Sequence, residues 1–317
     1  MHFPKERHAI YNFRFYRYSR LVEEAMKPSR SEFIRIRNLR YHIRHWGRED
    51  APILFMLHGW MDMSASFQFI VDNLQKDWHV VAPDWRGFGL SEWSGNGTYW
   101  FPDYLADLEA VLDHYSPDSP VRLVGHSLGG NVASIYSGVR PRRILKLVSL
   151  EGGSLLDSSP EQAPARYAQW LDEDRHSPFL RTYPTLQEVA ARLRKNNPRL
   201  TEERASFLAP HWAAKGQKGE WEIQADPAHR HISPSLYRLD EVFACWKAIT
   251  APVLMIVGEF NLLGVRLGSS QAGFAEYEFR TASIPNARIA TVVGAGHMLQ
   301  HDQPEEVARL IDDFFTE

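Results

Sequence analysis

Val121-Arg122-Leu123-Val124-Gly125-His126-Ser127-Leu128-Gly129-Gly130 is the stretch on which the fold turns. Its first four residues are short and mostly apolar, as in a parallel strand buried on both faces. A G-x-S-x-G pattern follows directly, and a helical run comes after it. At such a strand–helix junction the spacing predicts a sharp turn that lifts the Ser127 hydroxyl above the sheet. Only small neighbours fit there, hence Gly125 and Gly129, while Gly130 lets the helix approach the sheet. The turn also leaves the Leu128 backbone N–H at a helix N-terminus, where developing negative charge is stabilised. Ser127 is therefore the candidate nucleophile, weighed against an ordinary strand-to-helix turn.

Similar apolar runs recur on both sides: Ile53–Leu57, Val80–Ala82, Leu145–Leu150, Val253–Val257 and Ile289–Val293. Helical stripes lie between them, at Tyr104, Leu108, Val111, Leu112 and Tyr115, and at Val307, Leu310, Ile311 and Phe314 behind Pro304. Alternation of this kind predicts an α/β fold with a doubly wound, mostly parallel sheet. Ahead of it, Phe33–Arg37 and Tyr41–His45 alternate as two strands with one wet face, with Asn38–Arg40 as the turn. Residues 153–248 break the pattern. Thr185-x-x-Glu188 is a capping box, Thr201 a second helix start, and no strong strand is evident. This reads as a helical lid inserted before the last two strands, over the carboxyl ends where open α/β sheets bind ligands. The core is then 31–152 with 249–317.

Ser127 needs a base. Gly294-Ala295-Gly296-His297 follows the last apolar strand, and its glycines free the loop to aim an imidazole. Among 14 histidines, His297 stands out by that position and by the chain order, nucleophile first and base last. A second oxyanion donor is expected from the Trp60 N–H, at the end of the Ile53–Leu57 strand in His58-Gly59-Trp60, paired with the Leu128 N–H. The ordinary alternative is a turn in which Trp60 merely packs.

His58-Gly59-Trp60-Met61-Asp62, Asp84-Trp85-Arg86-Gly87-Phe88-Gly89-Leu90-Ser91, the Ser127 turn and Gly296-His297 resemble successive landmarks of α/β-hydrolases. With Glu161-Gln162-Ala163-Pro164-Ala165-Arg166, they are most similar to the serine hydrolase-like branch. The resemblance runs from about residue 32 to 316. It implies the α/β-hydrolase fold and a catalytic triad, and little about substrate. In many relatives the triad acid is the Asp of a G-x-x-D pattern after the penultimate strand. Here Gly258-Glu259-Phe260-Asn261 puts an uncharged residue at that position. Glu151, directly after the Leu145–Leu150 strand and before Gly152-Gly153, is one replacement, and a group of haloalkane dehalogenases is similar in placing a Glu there. Asn261 orienting the imidazole without charge, and Glu259 two positions earlier, are the others.

The chain has 317 residues, 44% hydrophobic, enough for a full core, and a formal charge of −3, which gives no sign of a nucleic-acid partner. The single cysteine, Cys245, reads as a small buried hydrophobe and fits a reducing compartment. With no apolar run near 20 residues and no secretory h-region, a cytoplasmic protein without an integral membrane segment is expected. Residues 1–30 form a basic, aromatic extension with helical spacing at Tyr11, Phe15, Tyr18, Val22 and Met26. It packs on its own domain or docks on a membrane surface or partner, and a homo-oligomer through it stays open. His229 and His231 lack companions for a metal, and no nucleotide-binding glycine motif occurs, so neither metal nor cofactor is expected. The reading is a serine esterase or thioesterase acting through an acyl-enzyme on a small molecule with an apolar or aromatic part. C–C bond hydrolysis, cofactor-free perhydrolysis and a non-catalytic ligand-binding homologue remain alternatives.

Overall fold

A computed structural model describes residues 26–95, 98–176 and 178–317. The helical spacing expected over residues 11–26 of the N-terminal extension therefore lies outside the described residues except for Met26, and Ser29 and Arg30, counted with the extension, begin the first strand. Strands β1 (Ser29–Ile36) and β2 (Leu39–Trp46) form an antiparallel hairpin in which Ile36 faces Leu39. Arg37 takes a positive φ of 54° in its two-residue turn, as tight hairpin turns require. The turn thus comes one position earlier than the alternation implied. Then follow β3 (Ile53–Leu57), α1 (Gln68–Asn73), β4 (His79–Pro83), α2 (Phe101–Tyr115), β5 (Val121–His126), α3 (Leu128–Val139) and β6 (Ile144–Leu150). After an insertion come β9 (Val253–Phe260), α8 (Leu262–Leu267), α9 (Ser270–Thr281), β10 (Ala287–Gly296), α10 (Leu299–Asp302) and α11 (Pro304–Thr316).

The eight strands order as β1-β2-β4-β3-β5-β6-β9-β10, parallel from β4 onward. Both faces are covered. Phe55 and Leu57 of β3 join Leu123, Leu147, Val111 and Val132 in one core, while Leu54 and Met56 join Val124, Val148, Ile70 and Ile311 in the other. Successive side chains point to opposite faces and both faces are dry, so these strands read as continuous apolar runs. Helix α11 buries Val307, Ala308, Ile311, Phe314 and Phe315, a stripe at helical spacing that seals the second core.

Between β6 and β9 lie α4 (Ala163–Asp174), α5 (Leu186–Asn196), α6 (Glu202–Trp212) and α7 (Leu239–Lys247). The Thr185 and Thr201 side chains cap α5 and α6 by accepting from Glu188 N and Arg204 N, each at 3.2 Å. The insertion is not purely helical. Ala213–Lys215 (β7) and Trp221–Ile223 (β8) pair as a small antiparallel hairpin closed through Gly219 at φ 89°. Three-residue strands are too short to display alternation, which is why the sequence pattern misses them. The segment after β8 is stitched to the core: Gly89 N donates to Gln224 O and Asp226 N to Gly87 O, both at 2.8 Å. By contrast, α4 buries none of its residues. Cys245, on α7, is half-buried rather than sealed in the core. Among the described residues, no helix is long and apolar enough to cross a membrane.

Candidate active site

Ser127 sits between β5 and α3 with φ 50° and ψ −111°, a conformation that non-glycine residues rarely adopt. The turn closes so tightly that a Cβ on Gly125 would stand 2.4 Å from Gly129 O, and one on Gly129 2.0 Å from Leu57 O. Ser127 N donates to Leu150 O at 2.9 Å, which ties the turn to the end of the neighbouring strand β6. The residue directly after β6 is Glu151, also at positive φ (54°). Ser127 and Glu151 therefore leave adjacent parallel strands side by side. A third such residue, Met61 (φ 55°), follows Trp60. Among the described residues, three of the four non-glycine residues with positive φ thus gather at this edge of the sheet.

His297 arrives from the end of β10. Its Nε2 lies 3.0 Å from Ser127 Oγ, and its Nδ1 lies 3.4 Å from Glu151 Oε2. The Glu151 carboxylate is fully buried. It accepts from Gly258 N at 2.7 Å on Oε1, and on Oε2 from Leu262 N at 3.0 Å and the Tyr277 hydroxyl at 3.1 Å. Three donors offset much of the cost of burying that charge. Asn261 is turned elsewhere: its Oδ1 accepts from Gly264 N at 2.7 Å and caps α8, and no hydrogen bond joins it to His297. Glu259 is exposed and accepts from Gly294 N at 2.9 Å. Of the three acid candidates, only Glu151 meets the imidazole.

Side chains that the spacing does not single out brace the histidine. His126 Nε2 donates to His297 O at 2.8 Å, and Gln300 Nε2 donates to His126 Nδ1 at 3.1 Å. One ring nitrogen donates and the other accepts, so His126 is neutral. Burial, helped by the nearby His297, holds its pKa well below the ordinary value. Gln300 also approaches Asp62 at 3.5 Å, whose carboxyl is pushed up to about 7 by burial.

A cavity of about 550 Å³ opens beside the serine turn. Leu128 and Trp60 line it together with Tyr99, Trp100, Phe101 and Tyr104, and the insertion contributes Trp170 of α4 and residues 228, 229 and 231–234. Among the described residues, no Asp, Glu, Lys or Arg lines it. Three polar edges have protein partners: Trp60 Nε1 donates to His229 O (3.3 Å), Tyr99 OH to Asp226 (2.6 Å) and, at the surface, Trp100 Nε1 to Ser235 Oγ (3.2 Å). His229 is sandwiched between the Phe88 and Tyr99 rings at 3.7 and 3.6 Å. Burial pushes its pKa down to about 3, so it too is neutral.

A family profile described as alpha/beta hydrolase fold matches residues 52–304. The chain belongs to that family. It resembles the serine hydrolase-like branch: a Danio rerio protein named serine hydrolase-like is 25% identical over 276 residues, 85% of this chain and 83% of that one. A Cupriavidus necator protein named 3-hydroxybutyrate-oligomer hydrolase is 27% identical over 296 residues, 89% of this chain and 94% of that one. Among solved structures, a thioesterase domain from the curacin biosynthetic pathway superimposes with a TM-score of 0.79 at 24% identity, covering 92% of this chain and all of that one. That likeness is one of fold.

In this α/β-hydrolase the loop after β3 is pressed onto the serine turn. A Cβ on Gly59 would approach His126 Nδ1 to 2.9 Å and Ser127 Cβ to 3.2 Å. The close approach carries Trp60 toward the start of α3, so that Trp60 and Leu128 line one cavity. Asp84 lies behind this edge as a structural group, accepting from Ser64 N at 2.7 Å and Leu90 N at 3.0 Å. Tyr277, 126 residues from Glu151 along the chain, has no local motif that could have announced it.

Proposed function

We propose that this chain is a serine hydrolase that cleaves carboxylic esters or thioesters through an acyl-enzyme. The observation that carries the reading is Ser127 Oγ on its strained turn, 3.0 Å from His297 Nε2, with the buried Glu151 carboxylate on the far side of the same imidazole. In the first half-reaction Ser127 Oγ attacks the acyl carbon while His297 Nε2 takes its proton. Glu151 favours the tautomer with hydrogen on Nδ1, which leaves the Nε2 lone pair facing the serine, and stabilises the imidazolium that forms. The Trp60 and Leu128 backbone N–H groups receive the charge growing on the carbonyl oxygen. His297 then returns the proton to the departing alcohol or thiol. In the second half-reaction water, deprotonated by the same nitrogen, releases the acid and regenerates Ser127.

The insertion acts as a lid in this reading, supported by Trp170 and residues 228, 229 and 231–234, which share one cavity with Trp60 and Leu128. A lining that is mainly aromatic and aliphatic, with Thr98, His231 and Ser233 in its smaller polar share and no acidic or basic side chain of Asp, Glu, Lys or Arg among the described residues, fits an uncharged apolar or aromatic acyl or alcohol part. The name of one similar protein, a 3-hydroxybutyrate-oligomer hydrolase, supports acyl transfer to water. The test is labelling by a fluorophosphonate together with turnover of p-nitrophenyl esters. Wild type should label at Ser127 and turn over. Ser127→Ala should lose both while keeping its thermal transition, and a folded wild type that does not label would overturn the reading.

A further inference from the structure

Oε2 of Glu151 is oversubscribed. It faces Leu262 N, the Tyr277 hydroxyl and His297 Nδ1 at 3.0, 3.1 and 3.4 Å, whereas among the described residues Oε1 accepts from Gly258 N alone. A carboxylate oxygen offers about two lone-pair directions, so three donors compete for them, and the contact to the imidazole is the longest of the three. The competitor that differs in kind is Tyr277. Its side chain is completely buried, and it is the one side-chain hydroxyl among the three. We propose that Tyr277 is a positioning residue of the triad, which holds the Glu151 carboxylate in place and, by sharing Oε2 with His297, limits how strongly that carboxylate pulls on the imidazole. The proposal rests on the reading of Ser127, His297 and Glu151 as the catalytic groups.

The neighbourhood is built to fix the phenol against the carboxylate. Tyr277 lies on α9, one turn before Arg280, which is itself buried. Arg280 Nη1 donates to Gly153 O and Leu155 O, both at 2.7 Å, and its Nε to Glu276 at 2.7 Å. Arg266 Nη1 donates to Ser154 O at 2.7 Å. The turn that starts at Glu151 is thus clamped by guanidinium groups from α8 and α9. These two helices meet so closely that a Cβ on Gly273 would stand 2.1 Å from Gly264 N. The phenol has no route to ionisation in this setting, because burial and the adjacent Glu151 charge raise its pKa well above the ordinary value. It stays a donor at every working pH.

Replacing Tyr277 by Phe would remove one donor from Oε2 and leave two backbone N–H groups on the carboxylate. Its negative charge would then fall more fully on His297 Nδ1, and the imidazolium would be favoured up to a higher pH. A site-specific 3-fluorotyrosine, with a more acidic phenol of nearly the same size, should act in the opposite sense. The other titratable or charged groups that face the pair are unchanged in both variants: His126 behind His297, Asp302 and Arg199 at Gly296, Glu259 at Gly294, and Arg266 and Arg280 on the helices.

The experiment measures kcat and KM on a p-nitrophenyl ester across pH for wild type, Tyr277→Phe and the 3-fluorotyrosine enzyme, with fluorophosphonate titration to count active sites. The acid limb of kcat/KM should move by roughly half a pH unit, upward in Tyr277→Phe and downward in the fluorotyrosine enzyme. The plateau kcat of Tyr277→Phe should fall roughly three- to tenfold with KM unchanged. A packing role alone would lower the titratable fraction and leave the limb where it is. If the limb stays put in the fluorotyrosine enzyme, or both variants move it the same way, while Glu151→Gln remains inactive, the proposal is overturned and the triad stands. If Glu151→Gln keeps full activity, the triad reading falls and takes the proposal with it. The fluorotyrosine enzyme, nearly isosteric, decides the matter even where the phenylalanine variant does not fold.

Discussion

Glu151→Gln is the change that most sharply separates the possible partners of His297. Glutamine keeps the shape of the side chain but brings an NH₂ into a site where every neighbour is a donor. If the NH₂ takes the place of Oε1, it faces Gly258 N–H; if it takes the place of Oε2, it faces Leu262 N–H, the Tyr277 hydroxyl and His297 Nδ1. Three groups against one favour the first orientation on contacts alone, but neither restores a charge to the imidazolium. In the second, His297 must accept at Nδ1 and carry its hydrogen on Nε2, with no lone pair left for the serine proton. The lost charge, joined in the second orientation by the wrong tautomer, costs about 10³–10⁴-fold in kcat, or about 4–5.5 kcal/mol of transition-state stabilisation. The assay is p-nitrophenyl ester turnover beside a urea unfolding curve, so that lost activity is not confused with lost fold. Asn261→Ala is the paired control. It removes a helix cap, worth about 1 kcal/mol of stability, and should leave kcat within about threefold. A Glu151→Gln enzyme within tenfold of wild type, or a folded Asn261→Ala enzyme down a thousandfold, would refute the assignment.

Three further outcomes follow from the geometry. Asp62→Asn should alter the pH dependence of stability: the carboxyl is raised from 3.8 to about 7 in the fold, so between these values the folded chain holds a proton that the unfolded chain has released. Wild type therefore loses stability from this group as pH rises toward 7, about 4 kcal/mol in all. Relative to wild type, the variant should gain about 3 kcal/mol between pH 5 and pH 8 in urea unfolding. That difference is the readout, because buried His126, His229 and His301, with depressed pKa values, carry the opposite slope in both proteins; a flat difference refutes it. Gly129→Ala should destabilise by about 3 kcal/mol or more, since its Cβ would meet Leu57 O at 2.0 Å, and a variant with unchanged melting would show the turn to be looser than described. Trp170→Ala removes one wall of the cavity from α4, a helix that buries none of its residues. It should raise KM for an aryl ester several-fold with little change in melting temperature, and an unchanged KM would remove Trp170 from the substrate's path.

Much of this architecture was legible because its signals are local. The parallel strands announce themselves as apolar runs, since Leu54 and Phe55, or Leu123 and Val124, are buried on opposite faces. Ser127 and His297 could be placed because glycines crowd them for steric reasons that act within a few residues. What the pattern misses is set by contacts distant in sequence. Tyr277 and Gln300 matter through hydrogen bonds that span 126 and 174 residues, and neither carries a spacing of its own. The β7–β8 hairpin is too short for alternation to register. Glu151 is an intermediate case: its place after β6 is readable, but its hold on the imidazole depends on Asn261 being occupied with a helix cap, a competition that only coordinates resolve.

The location of Glu151 has a consequence for variation. With Ser127 and Glu151 directly after neighbouring strands, their mutual distance is set by the ladder between β5 and β6. The turn after β9 is then asked for backbone amides alone, those of Gly258 and Leu262, and amides come with any residue but proline. Libraries randomised at Glu259, Phe260 and Val265, whose side chains are exposed, should retain a high fraction of active clones. The same saturation at Gly152 or Gly153 should leave almost none, because there a Cβ would strike Ser149 Oγ at 2.4 Å or Trp246 at 2.6 Å. Mutational tolerance in this enzyme is thus expected to be lopsided, generous on the strand relieved of its carboxylate and severe on the strand that took it over.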